Sequence, residues 1–315
     1  MGSLKRGLLV GLQTTWTLGK IIFPITLIVT IIGHTPLLDW LARILSPIMS
    51  LIGLSGEAAI PLVLGNVLNL YAAIGAILTL DLSVKEVFIL AVMLSFSHNL
   101  LVESAVATKV GIRMSVVLAV RIGLALFSAA AINFFWQGGG EPAQYGFVSS
   151  AQTVEVTGWG AIIYQGLESA ALGVFQLALI VIPIMVGIQI MKDLNWLNWF
   201  SKAMSPFTKM LGMKGNTSTT LAAGLVFGLA YGAGVMMQAV KEDGVKKKDL
   251  YLAFIFLVAC HAVVEDTLLF IPLGIPIWPL FLIRLVTAIV LTILVAFIWN
   301  RLEKNNEQVT EEKVI

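Results

Sequence analysis

Eight long apolar runs constrain this chain more than any other feature. They span residues 7–33, 57–80, 85–108, 114–136, 161–191, 217–240, 250–272 and 279–300. Each is near or above the roughly 20 residues that a helix needs to cross a hydrocarbon core. The chain has 315 residues, 58% hydrophobic and only 12% charged. Soluble domains carry about 25% charged residues, so this one cannot cover itself for water. Alternating ten-residue strand patterns are absent, which argues against a membrane barrel. The expectation is an all-α polytopic membrane protein. The first run is far longer than the roughly 7–15 residue core of a signal peptide, and is read as a retained span behind Lys5 and Arg6. A formal net charge of +2 is too small for a nucleic-acid footprint. The single cysteine, Cys260, excludes an internal disulfide.

The chain repeats itself. A displacement of 159 residues aligns Pro24 with Pro183, Trp40 with Trp199, and Ser46-Pro47 with Ser205-Pro206. It also aligns Gly53, Gly56, Gly65 and Gly75 with Gly212, Gly215, Gly224 and Gly234. Four residues enter near KEDGVKKKD. At a displacement of 163, His98 meets His261, Gly111 meets Gly274, Arg121 meets Arg284, and Glu103 meets Asp266. Shared apolar composition would match Leu and Ile, not Trp, His, Arg and Pro. The expected domains are a first repeat over 1–137, an extracytoplasmic polar linker over 138–160, and a second repeat over 161–315 ending in a short charged tail. Such duplication is typical of secondary transporters.

Positive charge distinguishes two topologies. If all eight runs cross, ten Lys/Arg lie inside and seven outside. If 57–80 and 217–240 are re-entrant hairpins, fifteen lie inside and only Arg43 and Lys85 outside. The second arrangement is favoured. It gives six crossings, inverted repeats and both termini in the cytoplasm. Gly65-Asn66 and Asn69 interrupt the first hairpin, and Gly224, Gly228, Gly232 and Gly234 the second. Broken backbone at membrane depth is tolerated only where it lines protein or water. It is also the best sequence pointer to a transporter's site. Residues 36–52 and 194–212 mix apolar positions with Trp, Arg, Lys and Asn, as helices lying on a membrane surface do.

The stretch Ser55-Gly56-Glu57-Ala58-Ala59-Ile60-Pro61-Leu62-Val63-Leu64-Gly65 resembles the nucleoside-recognition, or Gate, domain. That domain occurs in the membrane part of bacterial ferrous-iron transporters and in spore maturation proteins. A related hairpin architecture occurs in concentrative nucleoside transporters. The iron transporters carry a Cys beside an Asn after the glycine. Here Asn69 matches the Asn, Leu68 replaces the Cys, and residues 225–228 of the second repeat hold no Cys. The departure argues against ferrous iron. The resemblance implies a bacterial inner-membrane transport or gating protein, with a homodimer as an assembly the family admits.

Polar residues inside the apolar runs supply the candidate site. Such groups are expensive in a bilayer and mark function or pairing. The substrate-binding candidates are Asn66, Asn69, His98, Asn99, Glu103, Arg121, His261, Glu265, Asp266 and Arg284. Two interhelical pairs are expected, Glu103 with Arg121 and Asp266 with Arg284. At i, i+4 on a continuous helix, His261 would share a face with Glu265, and Asn99 with Glu103. A His beside a carboxylate titrates near physiological pH, which suits a proton relay. His261-x4-Asp266 matches the short acyltransferase pattern, but the two side chains would point about 140° apart on a helix. No Walker A run and no His-Glu-x-x-His occurs. The expectation is not an enzyme and no cofactor. It is a secondary transporter of a small polar or ionic solute, coupled to H+ or Na+ and surrounded by lipid. A divalent metal transporter, and a non-transporting scaffold in envelope or spore maturation, stand as alternatives.

Overall fold

The computed structural model describes residues 2–109, 111–146, 158–242 and 244–312. The part of the linker over 147–157, including Glu155, lies outside the described residues. Thirteen α-helices carry the described chain. In the first repeat these are α1 (Ser3–Gly33), α2 (Pro36–Met49), α3 (Ala59–Val67), α4 (Leu70–Ile77), α5 (Val84–Ser97), α6 (Leu100–Lys109) and α7 (Met114–Phe135). In the second they are α8 (Trp159–Asp193), α9 (Trp196–Met210), α10 (Ser218–Glu242), α11 (Lys247–Ala259), α12 (Val263–Leu268) and α13 (Ile277–Glu312). Six helical stretches among the described residues are long and apolar enough to cross a membrane: α1, α5–α6, α7, α8, α11–α12 and α13. The chain is an all-α polytopic membrane protein.

The segment expected as the first hairpin, 57–80, forms two short helices, α3 and α4, packed on one another. Asn69 makes the break. Its backbone is extended (φ −169°, ψ 170°), and its side-chain oxygen accepts the Ala72 N–H at 3.0 Å. That is the N-cap role Asn performs best. In α10 the helical path breaks at Gly228, where φ is +74°. An L-residue pays for that conformation and glycine does not. Gly228 and Asn69 occupy equivalent positions in the two repeats.

The chain divides into two compact units. One holds Met1–Val102, Arg121–Leu194 and Val264–Leu282; the other holds Glu103–Val120, Asn195–Val263 and Ile283–Ile315. The first unit therefore takes α8 and Val264–Leu282 from the second repeat, and the second takes Glu103–Val120 from the first. In the first unit, α1 packs along α8 through glycines. A Cβ on Gly7 would come 2.7 Å from Val186 Cα, and one on Gly11 3.0 Å from Ile182 Cα. Small residues permit such backbone approach in membranes. A salt bridge of 2.7 Å from Arg6 to Asp193 closes one end of this pair.

Helix α5 starts with a capping box. Ser83 Oγ accepts from the Glu86 N–H, and Glu86 Oε2 accepts from the Ser83 N–H at 2.9 Å. The Ser-x-x-Glu signature before an apolar run was readable from sequence. Glu86 Oε1 also accepts from the Ser55 N–H at 2.8 Å. The linker's described half is a bonded strap. Val84 and Lys85 donate to the carbonyls of Glu141 and Gly139, and Gly146 donates to that of Pro272. The Tyr145 hydroxyl donates to Leu80 O at 3.0 Å. Burial, reinforced by Asp81 and Glu86, pushes this phenol above its usual pKa and keeps it a donor.

Helices α5 and α11 are buried along nearly all their length, which matches their apolar faces all round. By contrast Phe127, Phe134 and Phe135 of α7 and Phe297 of α13 are exposed, as lipid-facing residues are. On α2 an exposed stripe of Leu37, Trp40, Ile44 and Ile48 runs at helical spacing while Leu38 is buried. Helix α9 carries Trp196 stacked on Phe200, with centroids 4.7 Å apart.

Candidate functional site

Both polar spans are broken at their histidine. Helix α5 ends at Ser97, His98 is extended (ψ 154°), and Asn99 adopts φ +49° before α6 begins. Helix α11 ends at Ala259, Cys260 is extended (φ −150°, ψ 86°), and Ala262 adopts φ +41° before α12. The residues with positive φ are offset by 163, the displacement that aligns the histidines. Positive φ at alanine is strained and persists only when its surroundings hold it. Here a main-chain bond holds it: the Ala262 N–H donates to Gly224 O at 3.1 Å. In the first unit the Asn99 N–H donates to Gly65 O at 2.7 Å. In each case a hairpin glycine accepts the amide that the break releases.

This geometry corrects the helical-face reading. His261 and Glu265 do not share one continuous helix, and neither do Asn99 and Glu103, because the backbone turns between or at them. No proline marks either break, and glycine is absent from both. The signal lies in the tertiary bond from the hairpin, which has no local sequence mark.

The histidine rings are fixed alike. His98 Nδ1 donates to Leu94 O at 2.7 Å, and His261 Nδ1 to Leu257 O at 2.8 Å. A carbonyl only accepts, so Nδ1 carries the proton in both rings. The neutral ring then presents Nε2 as an acceptor. In the second unit, His261 Nε2 lies 3.3 Å from Glu103 Oε2. An ionised carboxylate is also an acceptor. The two attract only with a proton between them, as imidazolium with carboxylate or imidazole with carboxylic acid. Both residues are buried.

In the first unit a His98 ring nitrogen and an Asp266 carboxylate oxygen lie within 4.8 Å. Asp266 is the repeat equivalent of Glu103. Each unit thus sets the histidine of one repeat against the carboxylate of the other. The fully buried arginines direct donors to main-chain oxygens at the breaks. Arg121 donates through Nε to Phe96 O at 2.7 Å and through Nη2 to His98 O. Arg284 Nη2 donates to His261 O at 2.7 Å. Carbonyls freed at a helix C-terminus carry partial negative charge, and a guanidinium fork answers it.

The remaining candidates fall as follows. Asn66 Nδ2 donates to Leu62 O of its own helix at 2.7 Å. Asn69 caps α4. Glu265 Oε1 accepts the Tyr71 hydroxyl at 2.6 Å, within the first unit. Tyr71 was missed by sequence reasoning, because its ring reads as ordinary membrane packing.

The nucleoside recognition (Gate) profile matches residues 15–123 and again residues 174–274, about two thirds of the chain. The chain belongs to the Gate family. The starts of the two matches are 159 residues apart, the displacement that aligns the hairpins. The chain is also 64% identical, over 295 residues and 94% of each protein, to YvoD, an uncharacterized membrane protein of Bacillus subtilis (strain 168). No solved structure matches it.

Proposed function

We propose that this Gate protein is a secondary transporter of a small polar or ionic solute, working without catalysis through its inverted repeats. The observation that carries the reading is the break in each polar span at a buried histidine facing a carboxylate of the other repeat. Broken helices at membrane depth recur where transporters bind solute and coupling ions. A staple needs no open backbone. A buried couple that attracts only when it holds a proton suits H+ coupling, and protonation would bias alternating access. The distribution of Lys and Arg supports cytoplasmic termini in a bacterial inner membrane.

The test is water access. In a Cys260→Ser background, Asn66→Cys is treated with a small methanethiosulfonate from each side of the membrane. Reaction from one side, changed by a proton gradient, fits a transporter. No reaction from either side, with the protein folded, fits a dry scaffold and removes the proposal.

A further inference from the structure

An open apolar groove lies between the first turns of α7 and α11, wholly within the second unit, and holds about 200 Å3 of unfilled space. Val116, Val117 and Val120 line it from α7, and Tyr251, Phe254 and Val258 from α11. Both helices enter it from their N-terminal ends. The Arg113 N–H, just before α7, donates at 3.2 Å to the hydroxyl of Tyr251, one turn into α11. From Tyr251 to Val258 the helix rises by about 10 Å. That is most of the way from the boundary to the centre of a hydrocarbon core about 30 Å thick.

Basic residues head both walls. Arg113 stands one turn before Val117, and its carbonyl accepts the Val116 and Val117 N–H groups at 3.1 and 3.4 Å. Lys247 stands one turn before Tyr251 on the same face of α11. Lys109 and Lys246 flank these two in sequence. All four are exposed, and none forms an ion pair among the described residues. Lys248 is engaged instead, with the Asn300 side chain and with Glu303 at 3.9 Å. Asp249, the acid of this first turn, is buried on the face of α11 opposite Tyr251. The Tyr251 ring packs against Trp299 with centroids 5.8 Å apart. Such aromatic residues gather at headgroup depth, which puts the mouth of the groove at the membrane–water boundary.

A bare apolar groove accepts any hydrocarbon chain, and a basic cluster accepts any anion. Only an amphiphile with a negative head above a hydrocarbon tail satisfies both in this register. Basic pockets between membrane helices recognise anionic lipid head groups in the same way, and the surrounding bilayer supplies such a molecule. We propose that this groove binds an anionic phospholipid of the membrane. Arg113 and Lys247 hold its phosphate, and one acyl chain lies along Val117, Val120, Phe254 and Val258. The proposal goes beyond the transport reading and does not rest on it.

The test is native mass spectrometry of the purified full chain in detergent, with dioleoyl phosphatidylglycerol or dioleoyl phosphatidylcholine added. Phosphatidylglycerol is expected to be retained about tenfold more tightly. Arg113→Gln combined with Lys247→Gln should lower its retention about tenfold. Lys202→Gln combined with Lys209→Gln removes the same charge from α9 and should leave retention unchanged. Val116→Phe narrows the groove, keeps the charges and should also lower retention. Melting temperatures without lipid report whether each variant folds. If Val116→Phe does not fold, dihexanoyl phosphatidylglycerol on the unaltered chain replaces it and should be retained less than the dioleoyl lipid. Equal retention of the two head groups, or equal loss in the α9 control, overturns the proposal. So does retention indifferent to the Arg113 and Lys247 pair. Retention indifferent to Val116→Phe or to chain length, with displacement by glycerol 3-phosphate, would mark a site for free phosphate and overturn the lipid assignment.

Discussion

His261 Nε2 lies 3.3 Å from Glu103 Oε2, and the contact joins the second repeat to the first. Its equivalent in the other unit places His98 within 4.8 Å of Asp266. Each unit thus sets a histidine of one repeat beside a carboxylate exchanged from the other. The exchange follows the division of the chain, in which Glu103–Val120 joins the unit of the second hairpin and Val264–Leu282 that of the first.

Removing one member of the buried pair strands the other. Glu103→Ala is expected to cost about 3 kcal/mol, in the range for breaking a buried ion pair. The His261→Ala, Glu103→Ala cycle should return a coupling of about 1–3 kcal/mol. Unfolding in mixed micelles measures both, and additive single effects would show that the contact carries no energy.

The hairpin glycines are placed by packing. A Cβ on Gly65 would meet Leu94 Cδ2 and, at 2.9 Å, Ala73 Cβ; one on Gly224 would meet the methyls of Leu257. Gly65→Ala and Gly224→Ala should each destabilise by about 1–3 kcal/mol. Because the obstructing leucine differs, Leu94→Ala should relieve Gly65→Ala and not Gly224→Ala. Melting temperatures of the three single and two double variants decide it.

Arg121 holds two carbonyls with two arms of one planar group. Lys keeps the charge and loses the fork. Arg121→Lys should therefore destabilise by about 2 kcal/mol or more, within the range for broken buried networks. A tolerated lysine, read by denaturation in micelles, would mean that charge alone matters at the break.

The charge pattern predicts sidedness. With Cys260 replaced by serine, Glu141→Cys should react with an impermeant maleimide on intact cells. Arg113→Cys and Lys247→Cys should react only after permeabilisation. If Arg113→Cys were labelled from outside, the repeats would be parallel.

The sequence carried the frame and lost the joints. Six spans were legible because about twenty apolar residues have one use in a bilayer. The hairpin breaks were legible because Asn69 and Gly228 are the residue types that stop or turn a helix. The breaks after His98 and around Cys260 were not. Apolar residues continue on both sides, and Ala262 takes a conformation its own chemistry disfavours. What places it there is Gly224 O, far away in sequence. All ten candidate residues were named as polar positions inside apolar runs, but which histidine meets which carboxylate depends on how α6 and α12 are distributed between units. Tyr71 carried no signal, since only its contact with Glu265 distinguishes it from a packing aromatic.

The most direct test of the account follows protons. The protein is reconstituted into liposomes loaded with a pH-sensitive dye, and candidate solutes are added across an imposed pH gradient. The account predicts solute-dependent proton movement that falls at least about tenfold in His98→Gln and in His261→Gln, while both variants stay folded. Proton movement unchanged by both substitutions, or solute flux with no proton movement, would contradict it.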